Sequence, residues 1–94
     1  MHKRVTTTSG KRSLKKLSTQ VRRELLRATI ILETSPYAGE KLSGSLHFLY
    51  SFHFKVRNNS YRAAYTVDTV NKYIIFHFVD SRENFYEKLR RLFG

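Results

Sequence analysis

The 94-residue sequence lacks cysteine and tryptophan and has a single proline and a single methionine. Without cysteine it has no disulfide, no thiolate zinc site and no thiol nucleophile, which is typical of proteins from a reducing compartment. Its apolar runs are too short to cross a bilayer, and Met1 is followed by cations rather than by an apolar leader. A chain of this length has room for one core. The sequence therefore predicts a single soluble, cytoplasmic domain over residues 1–94.

Acidic residues are also scarce. Seven Asp and Glu accompany eighteen Lys and Arg, which gives a formal net charge of +11. The imbalance is strongest in residues 1–30, where nine bases accompany one acid, Glu24. Such a surface attracts polyanions, because neutralising phosphates releases condensed counterions. Nucleic acid or an acidic protein is the expected partner, and the alternative is a charge that only keeps the domain soluble.

An alternating segment from His47 to Arg57 is the most informative part of the chain. The large apolar residues of one strand face are Phe48, Tyr50, Phe52, Phe54 and Val56. The opposite face carries His47, His53, Lys55 and Arg57, interrupted by Leu49 and Ser51. Because side chains of a strand alternate with a period of two, this pattern predicts five buried apolar groups and a row of cations aimed the other way. A row of cations is typical of a phosphate-binding surface.

The N-terminal half reads as one strand and two helices. The β-branched run of residues 3–8 predicts a short strand that ends at Ser9-Gly10. Apolar residues then recur at steps of three or four, at Leu14, Leu17, Val21, Leu25, Ala28 and Leu32. Ser18 and Thr19 divide this stripe into helices of about 11–17 and 19–34. Pro36 stops the second helix, and a loop follows over 37–45.

Strands dominate the C-terminal half. They are predicted at about 46–57, 61–67 and 72–79, with turns at 58–60 and 68–71. Asp80 and Glu83 have the spacing of a capping box, and Phe85, Leu89 and Leu92 continue as an amphipathic helix. The order βααβββα predicts an α+β fold. In it, a small antiparallel sheet packs against an N-terminal helical hairpin on one side, and a C-terminal helix follows.

Several segments resemble the RelE/ParE superfamily of bacterial and archaeal toxin–antitoxin modules, and together they span nearly the whole chain. They are Ser35-Pro36, Lys41 to Gly44, Phe54 to Tyr65, Val79 to Glu83, and Tyr86. The resemblance implies the RelE-like microbial RNase fold and a type II toxin that cleaves messenger RNA at the decoding site of the ribosome. It implies attack by a ribose 2′-hydroxyl on the scissile phosphate, with no metal and no cofactor. Only RNA supplies that nucleophile.

The resemblance also assigns roles to cations of the late strands. Lys55 falls where RelE-like proteins have a catalytic lysine. Neighbouring cations such as Arg57 and Arg62 would disfavour its charged form and bring it closer to a useful base. Arg62 would hold the scissile phosphate, because a guanidinium matches phosphate oxygens bidentately. Arg57 would help to bind the phosphate and, with Arg82, stabilise the developing charge. The alternative for Lys55 is an ordinary exposed strand lysine, and for Arg82 an ion pair with a neighbouring glutamate.

Two further residues complete the predicted catalytic set. Tyr86 would stack on a base or assist proton transfer, and its alternative role is packing on the sheet. His53 stands where some members have a second lysine, and an imidazole is a capable acid or base near neutral pH. His47 and His53 are about 20 Å apart at the rise of a strand, so the histidines predict no metal site.

The resemblance implies a cognate antitoxin with an acidic, partly disordered segment. The predicted docking surface is the basic helical pair, with the edge of the sheet, and its candidate residues are Lys15, Arg22, Arg23 and Arg27. Two alternatives to the nuclease stay open. ParE-like members share the fold but inhibit DNA gyrase by protein contact, and an RNA-binding module would need no chemistry. Exposed aromatic stacking motifs, which favour such a module, are missing from the sequence.

Overall fold

The computed structural model describes residues 1–93, which form five strands and three α-helices. The strands are β1 (Lys3–Thr6), β2 (Glu40–Lys41), β3 (Tyr50–Val56), β4 (Asn59–Asp68) and β5 (Tyr73–Ser81). The helices are α1 (Thr8–Lys15), α2 (Thr19–Ala28) and α3 (Arg82–Phe93), with 3₁₀ turns at Thr29–Glu33 and Gly44–Leu46. Within residues 1–93, none of the helices has the length and apolar character needed to cross a membrane.

The strands form one sheet in the order β1-β5-β4-β3-β2. β1 runs parallel to β5, and the other neighbouring pairs are antiparallel. The predicted α+β fold and the order βααβββα are confirmed, apart from the additional β2. This strand lies in the predicted loop, where only two residues pair with β3.

The helical hairpin begins earlier than predicted but divides where predicted. Ser18 caps α2, and its hydroxyl accepts a hydrogen bond from the Val21 amide at 3.2 Å. The prediction that Ser9-Gly10 punctuates the chain before the first helix was wrong, because both residues lie inside α1. Gly10 permits a close approach to the sheet, since a β-carbon there would lie 2.7 Å from the Phe76 carbonyl oxygen.

Two apolar clusters lie on opposite faces of the sheet. The larger one packs α1 and α2 against the strands, with Val21, Leu25, Phe54, Tyr65 and Phe76 among its buried residues. The smaller one packs α3 and the loop before β3 against the other face, and it contains Leu42, Leu46, Leu49, Ala64, Phe85 and Leu89. The prediction that helices cover one side of the sheet was therefore wrong. Both faces are covered, the second one only in part.

A β-bulge in β5 supplies residues to both clusters. Tyr65 pairs with Phe76 and Ala64 with Phe78, so His77 is the extra residue. An extra residue reverses the alternation that follows it. Phe76 and Val79 thus both reach the larger cluster, while Phe78 packs on the smaller one. This explains why the sequence of β5 reads as apolar on both faces.

Candidate active site

The predicted row of cations on β3 is shorter in the structure. His53 and Lys55 are exposed on the same face of the strand. Leu49, before β3, and Ser51, on it, are both buried, and Leu49 packs with α3 in the smaller cluster. His47 precedes the strand, and Arg57 lies in the turn after it. Arg57 has a φ of 58°, in the left-handed region. β3 therefore contributes two candidate residues to a site rather than four.

The apolar face of β3 also differs from its prediction. Phe54 and Val56 are buried, but Tyr50 and Phe52 are only half-buried, and Phe48 lies outside the strand and is 44% exposed. The turn into β4 falls at residues 57–58 rather than 58–60, so Val56 pairs with Asn59. This register fixes which residues of β4 lie beside His53 and Lys55.

β4 and α3 bring two arginines to those β3 residues. Arg62 lies directly opposite His53, and Ser60 lies directly opposite Lys55. Arg82 is the first residue of α3. Together His53, Lys55, Arg62 and Arg82 line one open groove of about 220 Å³. Four of the predicted catalytic residues are thus brought together, and Arg57 is not among the residues that line the groove.

Tyr86 joins this constellation through Arg62. The Arg62 guanidinium donates a hydrogen bond to the Tyr86 hydroxyl at 2.7 Å and lies 5.2 Å from the centre of its ring. Both contacts orient the half-buried arginine, since a cation is attracted to an aromatic face and to a hydroxyl oxygen. The phenol is one turn of helix after Arg82, so α3 supplies both a cation and the support for a second one.

The electrostatics of the groove act most clearly on His53. Partial burial lowers the pKa of its imidazole below the ordinary value, and the charges of Arg62 and Arg82 lower it further, while Glu40 partly opposes them. A lowered pKa increases the neutral fraction at physiological pH. His53 can therefore accept a proton there.

Asp80 does not cap α3 as its spacing with Glu83 predicted. It lies inside β5, directly opposite Arg62, and its carboxylate forms an ion pair with Lys88 at 3.2 Å. It also accepts a hydrogen bond from the Ser81 amide at 2.7 Å. The last strand continues two residues beyond its predicted end, which moves the start of α3 to Arg82.

Glu40 lies beside the groove and was not predicted as a site residue. It lines a cavity of about 240 Å³ together with His53. Its position depends on the pairing of β2 with β3, and a two-residue strand leaves no periodic signal in the sequence. Residues 1–93 contain no group of three or more His, Cys, Asp or Glu side chains arranged to hold a metal ion.

The family described as "ParE-like toxin of type II bacterial toxin-antitoxin system" matches residues 5–90 of this sequence. The chain belongs to this family. The match confirms the predicted RelE/ParE relationship, and it makes the protein a type II toxin. No curated protein sequence matches the toxin.

Solved structures of RelE toxins have a similar fold. A chain of the RelBE2 toxin–antitoxin complex from Mycobacterium tuberculosis is 24% identical, with a TM-score of 0.74, over 86% of this toxin and 98% of that chain. The isolated Escherichia coli RelE toxin is 23% identical, with a TM-score of 0.68, over 98% and 99% of the two chains. An arginine-to-alanine double mutant of E. coli RelE in complex with an antitoxin RelBc peptide is 19% identical, with a TM-score of 0.68, over 93% of each chain. These similarities confirm the predicted RelE-like fold.

The predicted docking residues of the toxin differ in how free their side chains are. Lys15, Arg23 and Arg27 are exposed on the helical hairpin, and Arg27 forms an ion pair with the half-buried Glu24. Arg22 is half-buried. Its guanidinium donates to the carbonyl oxygens of Leu14 at 3.1 Å and Leu17 at 2.7 Å, and to the Thr19 hydroxyl at 3.2 Å. Arg22 therefore joins the end of α1 to the start of α2.

Proposed function

We propose that this toxin is a ribosome-dependent endoribonuclease that cleaves messenger RNA without a metal ion. The observation that carries the proposal is the convergence of His53, Lys55, Arg62 and Arg82 in one groove, with Arg62 held by Tyr86. A cluster of cations beside a neutral imidazole can perform both tasks of RNA cleavage, which are proton transfer and stabilisation of negative charge.

The reaction assigns a task to each group. A base takes the proton of a ribose 2′-hydroxyl, and the oxygen attacks the adjacent phosphorus. Arg62 and Arg82 bind the phosphate oxygens and stabilise the charge that accumulates on them in the transition state. An acid protonates the departing 5′-oxygen. The products are a 2′,3′-cyclic phosphate and a 5′-hydroxyl.

The two proton-transfer groups are His53 and Lys55. They are two residues apart on one strand face, roughly 7 Å along the strand, so flexible side chains can reach oxygens on either side of one phosphorus. The environment of Lys55 differs from the predicted one, because Ser60 lies opposite it and Arg57 has left the strand. His53 is the residue that faces Arg62. We therefore assign the base to His53 and the acid to the Lys55 ammonium.

Dependence on the ribosome is consistent with the shape of the site. The groove is small and open. Its cations can bind a phosphate, but it has no enclosed pocket for a nucleobase. A flexible message would have to be held by another surface before its 2′-oxygen could line up with the phosphorus, since orientation supplies much of the rate of such a reaction. The decoding site of the ribosome holds a message in this way.

The proposed partner that silences the toxin is an antitoxin with an acidic, partly disordered segment. Arg23 and Arg27 supply the charge on α2, and the next turns supply an apolar anchor beside them. Leu26 and Ile30 are each 59% exposed, and Ile31 is 49% exposed. Positions 23, 26 and 27 share one face of α2, and Ile30 follows in the 3₁₀ turn after the helix. Charge would speed association, and the apolar residues would slow release.

The experiment is a cleavage assay in a translating extract with purified toxin. We expect message fragments that end in a 2′,3′-cyclic or 3′-phosphate, only when ribosomes are present, and cleavage that tolerates EDTA at concentrations that leave the subunits joined. Loss of cleavage on chelation while the subunits stay intact would instead indicate a metal nuclease.

The alternative activity is tested with the same preparation. The family that matches is named for ParE, whereas the similar solved structures are RelE toxins. We choose the nuclease because inhibition of gyrase by protein contact would need no proton-transfer groups. Inhibition of gyrase supercoiling by the purified toxin, with no cleavage of message, would overturn this choice.

A further inference from the structure

Glu40 shares a sheet face with the groove. It lies on β2 directly opposite Ser51 of β3. Directly opposed residues point to the same side of a sheet, so Glu40 lies on the α3 face together with Ser51 and His53. His53 is two residues beyond Ser51, which makes Glu40 its diagonal neighbour. Diagonal neighbours are roughly 7–8 Å apart, within reach of long side chains.

Glu40 borders two cavities, one shared with His53 and the other with Tyr86. The cavity of about 240 Å³ is lined by Glu40, Ser51, Phe52 and His53, among others. A second cavity, of about 440 Å³, is lined by Glu40 on one side and by Tyr86 and Arg90 of α3 on the other. None of the four ion pairs in residues 1–93 involves Glu40. Its carboxylate is thus available to the groove.

The other charged and titratable groups around His53 make a nearby anion important. Arg62 faces it from β4, Arg82 from α3, and Lys55 follows on its own strand. Tyr86 of α3 binds Arg62. Asp80 of β5 lies beyond Arg62 and pairs with Lys88. An imidazolium formed among these cations is unfavourable unless an anion compensates it, and of these groups Glu40 is the one that raises the pKa of His53.

We propose that Glu40 is a positioning residue whose carboxylate stabilises the imidazolium formed when His53 takes the proton of the 2′-hydroxyl. The inference rests on the proposed nuclease function. In the step, the O–H bond of the 2′-hydroxyl breaks and its proton passes to a ring nitrogen of His53. A bond forms between the 2′-oxygen and phosphorus, the bond from phosphorus to the 5′-oxygen breaks, and the Lys55 ammonium donates a proton to the 5′-oxygen. Exchange with water then restores both side chains.

The test compares Glu40→Gln with a matched control, Glu24→Gln. Both substitutions remove one negative charge, but Glu24 lies on α2, across the sheet from the groove. The first measurement is an NMR titration of the His53 ring, which needs no RNA. Because the negative charge of Glu40 favours the imidazolium, its removal should lower the titration midpoint of His53 by several tenths of a pH unit. Glu24→Gln should leave the midpoint unchanged.

The second measurement is the pH profile of ribosome-dependent cleavage. The base must be neutral to act, so the rate rises with pH through the pKa of His53. In Glu40→Gln this rise should move to lower pH, and the plateau should fall by about tenfold, because a weaker base with an uncompensated product charge is a poorer catalyst. A residue that only supported the fold would lower the rate at every pH and would not move the profile.

The two measurements distinguish a failure of the proposed Glu40 role from a failure of the proposed nuclease function. An unchanged His53 titration in Glu40→Gln overturns the inference, whether or not the toxin cleaves. A wild-type toxin that cleaves, with a profile that Glu40→Gln does not move, overturns the inference and leaves the nuclease standing. A wild-type toxin that cuts no message overturns the proposed function and the proton transfer with it, while the titration still reports the coupling of Glu40 and His53.

Discussion

The two faces of the sheet use the same strands but are covered differently. On one face α1 and α2 pack over a continuous apolar cluster. On the other, α3 covers the middle of the sheet, while His53, Lys55 and their neighbours at one end have no helix over them. Polar side chains occupy the positions where this cover ends. The position of the candidate site therefore depends on how far α3 extends over the sheet as much as on the alternation of side chains along β3.

The largest expected effect is on the open end of the α3 face. Lys55→Ala and Arg62→Ala should each reduce cleavage by about 10²–10⁴-fold, since each removes one positioned acid or charge-stabilising group. Both variants should fold, because Lys55 is exposed and Arg62 is only half-buried. The measurement is the rate of message cleavage in a translating extract. Lys11→Ala, on the exposed surface of α1, is the control. Growth arrest that persists in both site variants would place the toxicity elsewhere.

The second prediction concerns the stability of the sheet face that α1 and α2 cover. Phe54→Ala should destabilise the toxin by ~3–5 kcal/mol, because it truncates a buried aromatic residue of the larger cluster. Phe52→Ala should cost clearly less, since Phe52 is half-buried on the same strand. Denaturant unfolding measures both. An equal loss in the free energy of unfolding for the two variants would contradict the deeper burial of Phe54.

A smaller effect tests the link between α3 and the groove. Tyr86→Phe keeps the ring beneath Arg62 but removes the hydroxyl that accepts its hydrogen bond. We expect cleavage to fall by about tenfold, because one charge-assisted hydrogen bond at a partly exposed site is modest in free energy. The matched control is Tyr73→Phe, which removes a phenol hydroxyl at the start of β5, outside the groove. If Tyr86→Phe were fully active, the hydroxyl would have no part in holding Arg62 for the reaction.

The smallest effect concerns the outer surface of the helical hairpin. Reversing the charges of Arg23 and Arg27 should slow antitoxin association by about tenfold at low salt and flatten its salt dependence, while cleavage stays intact. Stopped-flow binding across a salt series measures this. Arg22 is left unchanged because its hydrogen bonds join α1 to α2. Association kinetics that do not change would show that the antitoxin docks on another surface.

Local patterns in the sequence predicted most of the fold. The alternation of β4 predicted that Ala63 and Tyr65 lie on the opposite face from Ala64. The first two residues are in the larger cluster and Ala64 is in the smaller one. Ser18 predicted the break between the helices because a hydroxyl that accepts from a helix amide is a local signal. Such features depend on neighbouring residues alone.

The features that the sequence did not predict depend on pairing across the sheet. The bulge at His77 follows from the register between β4 and β5. The burial of Leu49 follows from the docking of α3, and Ser51 is paired with β2. Arg57 is not part of the row of cations on β3, because the hairpin turn begins at residue 57 rather than at residue 58, where Asn58 and Asn59 predicted it. The groove residues His53, Lys55, Arg62 and Arg82 could be named in advance, but Glu40 could not, because only β2 brings it there.

A message with one altered sugar tests most directly whether the open end of the α3 face promotes attack by a 2′-hydroxyl. The cleavage position is first mapped on a ribosome-bound message with the wild-type toxin. A second message then carries a 2′-deoxynucleotide on the 5′ side of that bond and is otherwise identical. We expect this bond to resist cleavage while other sites on the message are cut as before. Cleavage that continues at the deoxynucleotide would contradict this mechanism, because the nucleophile would then come from elsewhere.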